Sequence, residues 1–178
     1  MKKISIFIFA LFLLGTSGCG YSTRSLSPAL VDIKTIYIAP FANNTDYSTE
    51  RGDNNLYVPM MEVKITTATI NRFLRDGLLK IAKQEDADII LKGALINYQR
   101  DPLRYDDNQN VIEYRISIIV SLSLTKTADN TIMWNYPSFV GETTYLVTGA
   151  NSKSENTAIE DAIKDLAQRI LEQTAEDW

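Results

Sequence analysis

The stretch Glu113–Lys126, EYRISIIVSLSLTK, alternates with a period of two. Tyr114, Ile116, Ile118, Val120, Leu122 and Leu124 fall on one face. Glu113, Arg115, Ser117, Ser121, Ser123 and Thr125 fall on the other, with Ile119 the apolar exception. Successive side chains of a strand point to opposite sides, so this pattern predicts a strand with one covered face and one wet face, as in an antiparallel sheet.

Its neighbours follow outward. Asp88–Gln99 reads as a preceding strand in which Gly93 marks a bulge or close approach by a neighbouring backbone. Asp101–Asn110 (DPLRYDDNQN) is dense in turn formers and joins the two. Ala128-Asp129-Asn130 makes a tight connection into Thr131–Tyr145, where Pro137 is expected to bend or split the strand. Nearer the start, Thr35–Phe41 (TIYIAPF) reads as a strand that ends at Pro40 or lies at an edge, Asn43–Asn55 as a long exposed loop, and Leu78–Ala82 as a short strand.

Two helices flank the central strands. From Val63, apolar residues recur as Val63, Ile70, Phe73 and Leu74, with Gly77 placed to end the helix, although Ile65–Ile70 is rich in β-branched residues that form helices weakly. Ala158, Ile159, Ala162, Ile163, Leu166, Ala167, Ile170 and Leu171 make a well-spaced second stripe, with Ser152 and Glu155 or Thr157 and Glu160 as its capping box. The expected fold is α+β: a two-layer sandwich with two helices on one face of a mostly antiparallel four- to five-stranded sheet.

Composition bounds the chemistry. The chain has 178 residues, no His, one Cys, and 18 Lys and Arg against 22 Asp and Glu, for a net charge of −4. One domain is expected at this length. The missing histidine removes Ser-His-Asp and Cys-His catalysis and His-ligated zinc, and one cysteine removes a disulfide framework. The acidic balance argues against nucleic acid as a partner.

Lys2 and Lys3, the apolar run Ile4–Leu14 and the small residues Gly15-Thr16-Ser17-Gly18 before Cys19 have the layout of a bacterial export signal. The eleven residues of that run, apolar except for Ser5, make a helix of only ~16 Å, about half the hydrocarbon core, so a permanent span is not expected. The residues before Cys19 resemble a lipobox, although Thr16 stands where Leu is usual. This reading divides the chain into a signal peptide (1–18), a lipidated Cys19 with a polar tether (19–32) and a folded domain (33–178). An ordinary signal peptide with a stray thiol is the alternative. Cleavage removes two lysines and takes the net charge to −6. Gly20 stands where an Asp would mark inner-membrane retention, so the expected address is the outer membrane.

Candidate sites are few. Asp101, Asp106 and Asp107 are the best candidates for paired carboxylates, and a solvated turn is the plainer account. Arg100 and Arg104 flank the same hairpin and suit phosphate or a rim salt bridge. Lys64, Arg72 and Arg75 lie on the polar side of the first helix. Trp134, Tyr136 and Phe139 make either an aromatic platform or core. No phosphate-binding loop, dinucleotide fingerprint or nucleophile elbow is present, so no catalytic residue, metal or cofactor is expected.

Taken in order, EDADIILKG, INYQRDPLRYD, VIEYRISIIVSLSLTKTAD and MWNYPSFVGETTY, preceded by CGYS and followed by SENTAIEDAIKDLAQRI, resemble the LptE-type lipopolysaccharide-assembly lipoproteins. That resemblance implies a non-enzymatic outer-membrane lipoprotein that plugs the LptD β-barrel, assists its assembly and contacts lipopolysaccharide (LPS), facing the periplasm or lying within the barrel lumen. It also implies that Arg104, and secondarily Arg100, meet LPS phosphates. IYIAPFANNT alone also resembles the opening of other envelope-assembly modules, the TolB amino-terminal domain and CsgG- or LpoB-like lipoproteins, which would carry no LPS contact.

Overall fold

A computed structural model describes residues 32–45 and 58–176. The export segment, Cys19, the tether as far as Val31 and most of the Asn43–Asn55 loop lie outside these residues. The elements are β1 (Thr35–Ile38), β2 (Ala42–Asn43), α1 (Met61–Asp76), β3 (Lys80–Ile81), a short 3-10 turn (Gln84–Asp86), β4 (Ile89–Tyr105), β5 (Val111–Lys126), β6 (Ile132–Leu146) and α2 (Glu155–Glu176).

β5 is the strand that the alternating stretch predicts. Ile116, Ile118, Val120, Leu122 and Leu124 are buried. It pairs antiparallel with β4, from Ile89 opposite Lys126 to Tyr105 opposite Val111. On its other side it pairs antiparallel with β6, from Glu113 opposite Leu146 to Thr125 opposite Ile132. These long antiparallel pairings make up most of a six-stranded sheet in the order β3-β1-β4-β5-β6, with β2 also on β4. β1 runs parallel to both β3 and β4, and β2 parallel to β4. Strands of two residues carry no periodicity, so the sequence undercounts the sheet.

Both helices lie on the covered face. All eight residues of the second predicted stripe are buried on α2. Each large side chain taken from water contributes about 1.5–3 kcal/mol, which makes this interface the main adhesive between the layers. Gly141 of β6 lets α2 approach, because a Cβ there would stand 2.3 Å from the Leu166 Cβ and 2.8 Å from its backbone nitrogen.

Several expectations are corrected. The buried row of α1 is Met61, Ile65, Thr69 and Phe73, while Val63 and Leu74 face solvent. Thr69 reads as polar in the sequence, but its hydroxyl donates to the Ile65 carbonyl at 2.8 Å and so enters the core satisfied. Gly77 does end α1, with φ of 73°. Neither expected capping box starts α2; instead the Ser154 hydroxyl accepts the Thr157 N–H at 3.2 Å. Gly93 makes room for a ring rather than for a backbone: an added Cβ would lie 2.2 Å from Phe41 Cε1.

Pro137 bends β6 without splitting it. It sits where the register slips between Val120 and Leu122, on a strand whose far side has no neighbouring strand among the described residues, so its missing N–H costs no ladder bond. β1 does end before Pro40, but it lies inside the sheet rather than at its edge. Asp101–Tyr105 is strand, and the turn narrows to Asp106–Asn110.

Candidate functional site

The antiparallel strands present two surfaces beyond the core. One is the sheet face away from the helices, where the β4, β5 and β6 registers place Lys92, Asn97, Gln99, Ser117, Ser121, Ser123 and Asn135, interrupted by Ile90, Ile119 and Val140. No helix among the described residues covers it. It carries an open depression of about 180 Å³ lined in part by Lys92, Ser121, Ser123 and Asn135. The other surface is the β4–β5 hairpin beyond the helix layer, where no residue from Asp101 to Arg115 is fully buried.

The root of that hairpin is a charged and aromatic cluster. Arg100 pairs with Glu155 at the first turn of α2 at 2.5 Å and lies over the Tyr114 ring, 4.9 Å from its centroid. The Tyr98 hydroxyl donates to the other Glu155 oxygen at 3.0 Å, and Tyr114 stacks on Tyr145 with centroids 5.8 Å apart. Burial, then the adjacent Glu155 charge, pushes the Tyr98 phenol well above its ordinary value. Burial opposes the Arg100 charge, but Glu155 outweighs it and raises the guanidinium pKa. Glu155 lies 55 residues from Arg100. No local signal marks it in the sequence as this partner.

Arg100 is therefore held against the helix layer, away from the tip. Arg104 is farther out, exposed, and meets Glu113 across the hairpin at 3.2 Å. With the guanidinium exposed and Glu113 half-buried, a pair of this kind contributes at most about 1 kcal/mol, so Arg104 is held loosely.

The three aspartates do not form a carboxylate pair. Asp106 folds the turn: its Oδ1 accepts the N–H groups of Asn108 and Asn110 at 2.9 and 2.8 Å, and its Oδ2 accepts the Asn110 amide at 3.1 Å. These bonds, the Asn110 side chain first, hold its carboxyl below the ordinary range. Asp107 is exposed and Asp101 half-buried on the strand. Among the described residues no cluster suits a metal ion, and no helix is long and apolar enough to cross a membrane.

Trp134, Tyr136 and Phe139 are in tilted ring contact at 5.5 and 5.8 Å. Trp134 belongs to the core, and the other two pack against it, so they fill its end rather than forming a platform. Lys64 and Arg75 are exposed, and Arg72 bonds Gln168 of α2.

The fold recurs in solved structures. Protein XCC0632 from Xanthomonas campestris is 13% identical with a TM-score of 0.58, covering 84% of this chain and 89% of its own. Uncharacterized lipoprotein B from Nitrosomonas europaea is 15% identical with a TM-score of 0.52, over 80% and 83%. The dodecamer PelC from Paraburkholderia phytofirmans is 14% identical with a TM-score of 0.50, over 85% and 96%. At these identities the likeness establishes a shared fold. No curated protein matches the sequence. The LptE family model, described as lipopolysaccharide-assembly, matches residues 33–174, from just before β1 to the last turn of α2. The chain thus belongs to the LptE family of lipopolysaccharide-assembly proteins.

Proposed function

We propose that the protein is a lipoprotein acylated at Cys19 and held at the outer membrane, where it occupies the lumen of the LptD β-barrel, assists its assembly and contacts LPS in transit. In this reading it binds and positions, and breaks no bond. The observation that carries it is the polar sheet face left open opposite the helices, joined to a hairpin that reaches beyond them. A lumen lined with polar side chains calls for a plug with a polar exterior, and serine, asparagine and glutamine side chains form hydrogen bonds without burying charge.

Arg104 is the residue assigned to LPS phosphate. Arg100 serves as the support that fixes the hairpin root on α2. Arg104→Glu is expected to lower LPS binding about tenfold, the loss of a charge-assisted phosphate contact, while lowering the urea midpoint only slightly through loss of the Glu113 pair, with the domain still folded. Unchanged binding removes Arg104 from the site. Recovery of LptD with the protein from detergent-solubilised outer membranes tests the partner, and a clean failure to recover it rejects the plug.

A further inference from the structure

The two helices turn different outer faces to solvent. On α2 that face is charged and internally paired, with Lys164 on Asp161 at 3.2 Å and Arg169 on Asp165 at 2.9 Å, and no large apolar side chain is exposed along it. The outer face of α1 is apolar and cationic. Met60, at its N-cap, is 60% exposed, Val63 47% and Leu74 60%. Lys64 and Arg75 are also exposed, and neither makes an ion pair among the described residues.

At 3.6 residues per turn, Ile70, Val63, Leu74, Thr67, Met60, Asn71, Lys64 and Arg75 fall within one arc of roughly 140°, with the two cations along one edge. The two carboxylates of α1 lie off this arc and are half-buried. An apolar row edged by long cationic side chains suits the boundary between phospholipid headgroups and acyl chains. In a chain of net charge −4 this face is a local departure, complementary to an anionic surface.

The place where the tether arrives points the same way. The Lys80 N–H donates to the Lys34 carbonyl at 2.9 Å, and Thr35 pairs with Lys80. The chain thus enters the domain beside β3, next to the C-terminal end of α1. Thirteen residues reach at most about 40 Å and α1 is about 24 Å long, so an anchor at Cys19 would leave the whole helix within reach of its own leaflet.

We propose that the outer face of α1 docks on the anionic phospholipid surface that holds the anchor, with Met60, Val63 and Leu74 at the acyl boundary and Lys64 and Arg75 at the phosphates. This contact holds the lipoprotein flat on the membrane before a protein partner takes it up. It rests on the acylation of Cys19 and is independent of the LptD reading.

The test uses the full lipoprotein purified from membranes and reconstituted into vesicles of phosphatidylethanolamine with phosphatidylglycerol. A fluorescent probe is placed through Leu74→Cys, and a control probe on α2 through Glu160→Cys. Brominated lipid is expected to quench the α1 probe and spare the control. Lys64→Glu with Arg75→Glu should lower the docked-to-undocked ratio at least about tenfold, and neutral phosphatidylcholine vesicles should do the same. Equal quenching at the two positions overturns the docking. So does an α1 probe shielded from aqueous quencher but untouched by brominated lipid, which assigns the face to the chain itself or to a second copy. The acyl mass of the Cys19 peptide reports the anchor separately: acylated protein without quenching rejects docking alone, and an unmodified Cys19 rejects the anchor and the docking with it.

Discussion

Gly141 is a point of close approach between the layers, where an added Cβ would meet the Leu166 Cβ at 2.3 Å and its backbone Cα and nitrogen at 2.7 and 2.8 Å. The Leu166 backbone nitrogen, 2.8 Å from where an alanine methyl would stand, belongs to the middle of a packed helix and moves only if α2 moves. Gly141→Ala is therefore expected to cost about 2–3 kcal/mol, read as a lower urea midpoint. At Gly93 the obstacle is the Phe41 ring, the far end of a side chain, so Gly93→Ala should cost less. The sequence marks both glycines as unusual in strands, but only the packed layers show which neighbour each one admits.

Asp88 is a second residue with a defined task. One carboxylate oxygen accepts the N–H groups of Lys34 and Thr35 at 2.8 and 2.9 Å and the Thr35 hydroxyl at 2.9 Å, pinning the start of β1 to β4. The bond from the Lys34 N–H, helped by Thr35, holds its pKa below the ordinary 3.8. The unfolded chain takes up this proton first as pH falls, so the stabilisation is complete above about pH 4 and disappears below it. Asp88→Asn should cost about 1–2 kcal/mol at neutral pH and flatten the acid limb of the stability profile.

Among the elements, β5 and α2 are the most legible, because each buries one face whose residues are almost all apolar; the exception on α2, Thr174 near its end, donates its hydroxyl to the Ile170 carbonyl at 2.8 Å. α1 is legible as a helix but not by face. Its two apolar rows have comparable strength in sequence, and the row that is buried includes Thr69, whose hydroxyl is satisfied within its own turn. The extension of β4 through DPLRY is hidden for a different reason. Turn-forming residues there are tolerated because the segment lies beyond the helices, where neither packing nor ladder geometry is strict. Arg100 and Arg104 are visible as the basic residues of the hairpin, but their separation into a root and an outer position depends on Glu155, which arrives from another element.

That root cluster makes its own prediction. Tyr98 has a raised pKa, so its neutral form stabilises the fold fully below pH 10, and the contribution fades as pH rises toward the folded value. Glu155→Gln removes the neighbouring charge. Tyrosinate absorbance should then show Tyr98 ionising at lower pH, and the loss of the Arg100 partner should cost about 1–2 kcal/mol at neutral pH, discounted because both side chains are partly exposed. An unchanged alkaline titration would mean that burial alone sets the Tyr98 pKa.

At the scale of the molecule, the two-layer architecture follows from one alternating strand and one helical stripe, while the parallel insertion of β1 between β3 and β4 does not. Strand neighbours separated by some 50 residues leave no trace in local patterning, and four-residue strands are too short to declare a face. The tether reading also belongs to this scale. In cells depleted of LptD, Cys19→Ser is expected to release the protein from the membrane fraction into the soluble periplasm without altering its thermal transition, because the folded domain begins beyond the anchor. Retention of the variant on membranes would show that another contact holds it there.

The position of β1 sets how the molecule bears load. Tension arriving through residues before Asp32 enters at the first residue of a strand flanked on both sides by parallel neighbours. A pull between that point and the far end of the hairpin drags β1 along β4, so their hydrogen bonds are strained together in shear rather than opened one after another like a zip. The same pull applied to an edge hairpin would peel it. Forced unfolding is a matter of rate rather than equilibrium, and this geometry makes the end of the domain at Asp32 its mechanically resistant end.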